Sequence, residues 1–270
     1  MPVDHYENFP VASLALPARY RRPVALIYRF AREADDIADE GDAPAGDRLR
    51  DLQRFSASLE DIEAHRTPAI AWFSELGDAI RAHALPIQPF RDLLSAFAQD
   101  VTRTRYARFA DVLDYCRRSA NPVGRLLLAL YGADTGVNRQ HSDAICTALQ
   151  LINFLQDVAI DYQKGRVYLA LDELAQAGLT ADDIARGRND AQWSRFMSGQ
   201  VARTRGLLIS GAPLGRAMPG RLGLEMRLII AGGARILDKI DAVSGDVCRH
   251  RPVLKWHDWP LLALRALIPT

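Results

Sequence analysis

The sequence is short of several features that commonly announce a function. Cysteine is scarce: Cys116, Cys146 and Cys248 are the only three in 270 residues, far apart, with no CxxC pair and no metal-ligand spacing. An odd, scattered set excludes a disulfide framework and points to reduced thiols in a cytoplasmic setting. A charge excess of one sign is missing too. Lys and Arg total 34 against 33 Asp and Glu, a net charge of +1, so there is no basic footprint for a nucleic-acid partner. No apolar run reaches the length of about eighteen residues needed to span a bilayer. The first residues bring acids and aromatics early, so no secretory signal is expected. The six histidines show no HxxxH spacing, and there is no GxGxxG or phosphate-loop glycine pattern.

What is present is helical periodicity. Apolar residues make up 49% of the chain, enough for a sizeable core, and strand-like alternation is almost absent. Long stretches rich in Ala, Leu, Arg, Asp and Glu are cut at residues 44–46, 67–68, 86–89, 121–122, 132–136, 211–215 and 219–220, each cut carrying Pro or Gly. Between the cuts the start and stop signals predict about eight to ten helices. No cut is long enough for an interdomain linker, and no repeat of fixed period is visible. The expectation is an all-α chain in one domain over residues 1–270, a helical bundle that builds a central cavity from side chains on facing helices. The apolar tail from Trp259 to Ile268, broken by Arg265, reads as a short helix packed on the core, with a membrane surface as the alternative.

The segment Ala148–Gln163, ALQLINFLQDVAIDYQ, carries the clearest chemistry. Wound at about 100° per residue, Gln150, Asn153, Asp157 and Asp161 share a stripe about 80° wide. Most other directions are apolar, with Gln156 the main exception. A helix apolar on most sides is a buried one, so its acidic stripe faces the interior. An isolated DxxxD is common on a solvated face; the apolar wrap is what argues against that here. Two inward carboxylates one turn apart are costly unless paired or metal-bound. Their hard oxygens suit Mg²⁺, which keeps waters and bridges to phosphates. Lys164, Arg166 and Tyr168 follow at once, and arginine grips phosphate oxygens bidentately.

The segment Tyr28–Glu40, YRFAREADDIADE, repeats the pattern. Tyr28, Arg32, Asp35 and Asp39 wind to within about 60° of each other, whereas Asp36 points away from that stripe. Alone, this helix is ordinarily amphipathic. As a pair, two acidic helices would repel unless cations lay between them, and divalent ions with a diphosphate resolve that conflict. An apolar cavity would then shield a carbocation left by the departing diphosphate. Phe9, Tyr28, Phe30, Phe154 and Tyr162 are candidates to line it, though each taken singly is as well explained as plain core.

These two stretches resemble the two aspartate motifs of the squalene/phytoene synthase family. Tyr115–Gly124, YCRRSANPVG, resembles the family's kinked central helix, and residues 251–255, RPVLK, its short basic closing stretch. The resemblance runs from about His5 to Lys255. It implies an isoprenoid synthase bundle acting on an isoprenoid diphosphate with Mg²⁺. It assigns Asp35, Asp39, Asp157 and Asp161, supported by Asn153, to the metal ions. Arg32 and Arg166, with Arg251 as a further candidate, fall to the diphosphate, and Tyr28 and Tyr168 to phosphate oxygens or to positioning those arginines.

Within the family, ENFPVAS at 7–13, DDIADEG at 35–41, and FLQDV with DYQKGR at 154–166 resemble the bacterial hydroxysqualene synthase branch. That branch implies ionisation of presqualene diphosphate and capture of the rearranged cation by water, with no nicotinamide reductant. It also implies pathway enzymes that supply the substrate and remove the hydroxyl. Two departures from condensing relatives stand out: Glu7 and Asn8 in place of small hydroxyl residues, and Gln156 in place of arginine before Asp157. Both remove phosphate-friendly groups. The alternatives are a member condensing two prenyl diphosphates and a non-catalytic member serving as an assembly or binding protein. Both DxxxD motifs being intact argues against the latter.

Overall fold

A computed structural model describes residues 16–267. Phe9, Glu7 and Asn8 lie outside the described residues. The elements, in order, are α1 (Ala18–Asp39), α2 (Ala45–Glu63), α3 (Phe73–His83), α4 (Gln88–Asp100), α5 (Phe109–Ser119), α6 (Asn121–Leu130), α7 (Gly136–Gln156), α8 (Val158–Gln163), α9 (Leu171–Gln176), α10 (Ala181–Ala185), α11 (Ala191–Gly211), α12 (Leu214–Ala217), α13 (Gly220–Ala242) and α14 (Trp259–Leu267), with a 3₁₀ turn at Trp256–Asp258. Among the described residues there is no strand, only a lone bridge between Arg105 and Val167. The chain is all-α, as its periodicity predicts.

The sequence cuts mark helix boundaries because the residues there cannot propagate a helix or prefer to start one. Pro89 and Pro122 lie in the first turns of α4 and α6, where a missing N–H costs nothing and φ is already helical. Pro122 also divides what would be one helix into α5 and α6. Thr135 caps α7 by accepting from the Asn138 N–H at 3.2 Å, and Asp190 caps α11 by accepting from Gln192 and Trp193, both at 3.0 Å. Four short helices, α8, α9, α10 and α12, exceed the eight to ten expected. Helix α8 follows the break at Asp157, α9 and α10 follow the turns at Gly165 and Gly178, and α12 lies at the 211–215 cut.

Helix α7 is the axis of the bundle, with α5, α6, α11 and α13 packed around it. Gly124 lets α6 come close, since a Cβ there would collide with the Ser142 hydroxyl and the Cys146 sulfur. Helix α1 completes the bundle through α2, α3, α4 and α6. Phe30 on α1 is fully buried, with its ring 5.7, 5.8 and 5.0 Å from those of Phe55, Phe73 and Phe90. Phe30 is therefore core rather than cavity wall. Such ring pairs add about 0.5–1.5 kcal/mol each beyond area burial.

One segment differs from its sequence reading. The helix over Ala148–Gln163 breaks at Asp157, whose φ is −104° and ψ 14°. Its hydrogen bonds continue across the break: the Asp157 N–H donates to Asn153 at 2.9 Å and the Asp161 N–H to Asp157 at 2.8 Å. Beyond the break, Ile160 is exposed, so the apolar wrap holds for α7 and not for α8.

Candidate active site

A cavity of about 610 Å³ runs between α1 and α7, within the usual range for a small-molecule site. Its lining changes character along both helices in the same sense. On α1, Val24 and Ile27 give way to Tyr28, Arg32 and Asp35; on α7, Ile145 and Leu149 give way to Gln150, Asn153 and Asp157. At 1.5 Å per residue, these faces span about 16 Å on α1 and about 22 Å from Ser142 to Asp157 on α7. The far end is closed by apolar residues including Leu214, Met218 and Leu222. The cavity is thus a long, mostly apolar slot with a pair of carboxylates and Arg251 at one end and a further acid, Glu225, beside Tyr131 elsewhere in its wall. Both helices bring their C-termini to that end, where the backbone dipole is negative. Dipole and carboxylates together make it a place for cations.

In the chain as it stands, basic side chains fill that role. Asp39 is paired with Lys164 at 2.6 Å and with Arg166. Gly165, with φ +80°, forms the left-handed turn that brings both cations back onto one carboxylate. Asp157 accepts from Arg251 at 2.5 and 3.1 Å. Arg32 reaches Asp36 at 2.6 Å and Glu40 at 2.9 Å, with Asp35 at 3.8 Å. The compensation is uneven. Burial, then the Asp39 charge, pushes the Asp35 carboxyl up to about 6 against the pull of Arg32. Burial, then Asp157, pushes Asp161 up to about 7. For Asp39, burial acts upward, but the Lys164 hydrogen bond and the Arg166 charge outweigh it and hold the group below the carboxylate range. That Asp161 also feels Asp39 shows the two acidic motifs facing each other.

Behind this end lies a carboxylate that the motif reading missed. Asp100, the last residue of α4, is buried. It accepts from the Tyr115 hydroxyl at 2.5 Å, and the Tyr168 hydroxyl lies 3.5 Å away. Burial pushes its carboxyl up to about 7, opposed by the Tyr115 hydrogen bond and the Arg166 charge. Tyr115 lines the cavity, so the Asp100–Tyr115 pair is part of its wall. The signal was there: Leu93, Ala96, Phe97 and Asp100 follow one helical stripe whose other members are buried. An acid continuing an apolar stripe marks a buried polar group.

The squalene/phytoene synthase family model matches residues 3–259, nearly the whole chain. The chain belongs to the squalene/phytoene synthase family. Relatives include the hydroxysqualene synthase of Rhodopseudomonas palustris, 38% identical over 233 residues, covering 86% of this chain and 78% of that protein. The hydroxysqualene synthase of Zymomonas mobilis is 36% identical over 227 residues, covering 83% and 75%. Among solved structures, squalene synthase HpnC from Alicyclobacillus acidocaldarius is similar with a TM-score of 0.82 and 35% identity, over 89% of this chain and 90% of that one.

Against the family's two aspartate motifs, the structure sorts the candidates as follows. Tyr28, Arg32, Asp35, Asn153, Asp157 and Arg251 all line the cavity. Asp39 and Arg166 meet each other across its acidic end, with Asp161 electrostatically coupled to both. Tyr168 is one layer further out, its ring stacked on Phe154 at 3.8 Å. Phe154 is thereby a buried packing partner and not part of the cavity lining. Tyr162 sits 3.4 Å from Asp182, also away from the lining. Gln156 has a structural partner that the sequence did not show. It is buried and donates to the Pro252 carbonyl at 2.6 Å. Its side chain faces away from the cavity and anchors the stretch that delivers Arg251.

Among the described residues, no three His, Cys, Asp or Glu side chains gather tightly enough to enclose a metal ion by themselves. The carboxylates stand instead as pairs on facing walls, with an unmet excess of negative charge at Asp35 and Asp161. That donor set suits a hard cation bound through one or two carboxylates, waters and a ligand's phosphates, the habit of Mg²⁺.

Proposed function

We propose that the chain is a hydroxysqualene synthase, a carbon–oxygen lyase that takes presqualene diphosphate to hydroxysqualene and diphosphate. The observation that carries this reading is the slot in which Asp35 and Asp157 share one end and most of the remaining lining is apolar, with Glu225 the charged exception. Such a slot fits a molecule with a diphosphate head and a long hydrocarbon body. The identity to proteins named hydroxysqualene synthase favours this branch over a condensing one.

In this reading Asp35, Asp39, Asp157 and Asp161, with Asn153 beside them, would hold Mg²⁺, which would supply neutralisation of charge on the departing diphosphate. Arg32, Arg166 and Arg251 hold phosphate oxygens, and Tyr28 donates to them or keeps Arg32 in place. For Arg166 and Arg251 this is an exchange of partners, because both now hold carboxylates that the metal would take over. The carbon–oxygen bond breaks with its electron pair leaving on diphosphate. The apolar wall shields the cyclopropyl-bearing cation while it rearranges. One water adds through oxygen and loses a proton, so no reductant is consumed.

The test is to incubate the protein with Mg²⁺ and no nicotinamide, once with presqualene diphosphate and once with farnesyl diphosphate, and to identify products by mass spectrometry. Hydroxysqualene from the first, with the second untouched, is expected. Presqualene diphosphate or a longer condensed product from a prenyl diphosphate would move the chain to a condensing branch. No turnover of either would restore the non-catalytic reading.

A further inference from the structure

The C-terminal segment buries one side and leaves another apolar. Leu262 and Ala266 of α14 pack inward against α13. Outward, Trp256 is 83% exposed, Trp259 45%, Leu264 55% and Leu267 69%. Within α14, wound at about 100° per residue, Trp259, Pro260, Ala263, Leu264 and Leu267 form one stripe about 140° wide and about 12 Å long, without a charged member. Trp256, in the preceding 3₁₀ turn, extends the exposed apolar surface. Scattered exposed apolar residues are ordinary, whereas a contiguous patch with two tryptophans marks an interaction surface.

The surroundings indicate what covers it. The one acid between 249 and 267 is Asp258, which is buried and holds Arg235 and Lys239. At the near end of the stripe, Lys255 is exposed, and while its backbone N–H donates to Asp258, its ammonium group has no ion pair among the described residues. At the far end, Arg227 donates to both the Ala266 and Gly215 carbonyls at 2.7 Å, bringing α14 against α12. Arg216, next to Gly215, is exposed and likewise without an acidic partner among the described residues. Apolar side chains with tryptophans, bracketed by unpaired cations, match the interface of an anionic bilayer, where tryptophan favours the headgroup level. Through Arg227, the end of α14 is tied to α12, which supplies Leu214 to the cavity lining and is followed by Met218, which lines it too.

We propose that this surface, from Trp256 to Leu267, seats the protein on the surface of an anionic lipid bilayer. No helix among the described residues is long and apolar enough to cross one, so the contact is peripheral. It brings the apolar end of the slot toward the lipid that dissolves long hydrocarbon chains. That consequence rests on the proposed function, while the docking itself does not.

The experiment is flotation of the full chain with phosphatidylcholine vesicles, with and without one-third phosphatidylglycerol, following tryptophan emission in parallel. The variants are Trp256→Ser alone and Trp256→Ser with Leu264→Ser. Both positions are outward-facing, so melting temperature and turnover of detergent-dispersed substrate should match the parent. Expected are flotation with the anionic vesicles, a blue shift on binding, weakening by salt, and at least tenfold weaker binding for the double variant. Three results would each overturn the proposal. One is absence of flotation, including the case where light scattering shows a dimer that the variants dissolve. Another is equal binding to uncharged vesicles. The third is binding that both variants retain. Because the vesicles carry no substrate, failure here is distinct from failure of the lyase reading.

Discussion

Asp258 and the acids at the cavity end differ in how their charge is met. Asp258 has no side-chain exposure and receives Arg235 at 2.8 Å, Lys239 at 2.5 Å and the Lys255 N–H at 2.7 Å. Burial alone would raise its pKa, but these donors outweigh burial and hold the carboxyl far below the usual range. Asp35 and Asp161, by contrast, are pushed up because burial and neighbouring carboxylates exceed what the nearby arginines supply. A buried charge met on all sides fixes a structure, whereas Asp35, whose half-exposed side chain opens onto the cavity, presents an undercompensated carboxylate to a ligand. The two regions are joined by a short stretch of chain. Residues 251–258 run from Arg251 on Asp157 to Asp258 in its cage, with Gln156 and Lys239 gripping the Pro252 and Val253 carbonyls between them.

The comparison predicts opposite outcomes for two removals. Asp35→Asn should lower turnover of presqualene diphosphate by about a thousandfold, a loss of about 4 kcal/mol at the transition state. Its melting temperature without ligand should stay level or rise, because a charge that the fold met poorly is gone. Steady-state kinetics and a thermal melt of the same preparation check both halves. A melting temperature that fell steeply would mean that Asp35 is a structural ion pair, and the contrast with Asp258 would collapse.

Asp258→Ala should do the reverse. It leaves Arg235, which is partly exposed, and Lys239, which keeps the Val253 carbonyl, without their carboxylate, so the cost should fall somewhat below the ~3–5 kcal/mol of breaking a fully buried pair. Denaturant unfolding should show that loss. Turnover of the molecules that remain folded should fall only modestly, through a looser Arg251. Full retention of stability would show that the cage is solvated and that the 251–258 stretch is held by its backbone contacts alone.

The legible parts of this molecule are those written in local spacing. Tyr28, Arg32, Asp35 and Asp39 recur at helical intervals, as do Asn153 and Asp157, and α1 and α7 bring all of these but Asp39 into the lining of one cavity. The Pro and Gly cuts locate helix ends because those residues act on their own backbone. What could not be read depends on partners distant in sequence. Gln156 looked like a lost phosphate ligand because only its neighbour Asp157 was visible, while its partner, Pro252, lies 96 residues away. The break at Asp157 is likewise tertiary, since no Pro or Gly marks it. Asp100 falls between these cases. Its stripe was readable, but Tyr115 and Tyr168 come from other segments.

The smallest effect, and the one that joins both regions, is the pH dependence of stability. Asp35, Asp161 and Asp100 have native pKa values above the ordinary carboxylate value. Between about pH 4 and pH 7 the native state therefore holds protons that the unfolded state has released, and stability falls as pH rises through that window. Asp39 and Asp258 shift the other way. Their contribution is present above the ordinary carboxylate value and is lost as pH falls below it. The ligand-free protein should thus be most stable near pH 5. From pH 5 to pH 8 the net loss should be on the order of 1 kcal/mol after solvent screening, or about 2–4 °C in melting temperature for a chain of this size. Mg²⁺ with diphosphate favours the ionised acids, so the melting-temperature gain from that mixture should grow from pH 5 to pH 8. Asp35→Asn should flatten the ligand-free slope and reduce that gain. A ligand-free profile that rose from pH 5 to pH 8 would show that the acids at the cavity end are as well met as Asp258, leaving no unmet charge there for a metal ion to neutralise.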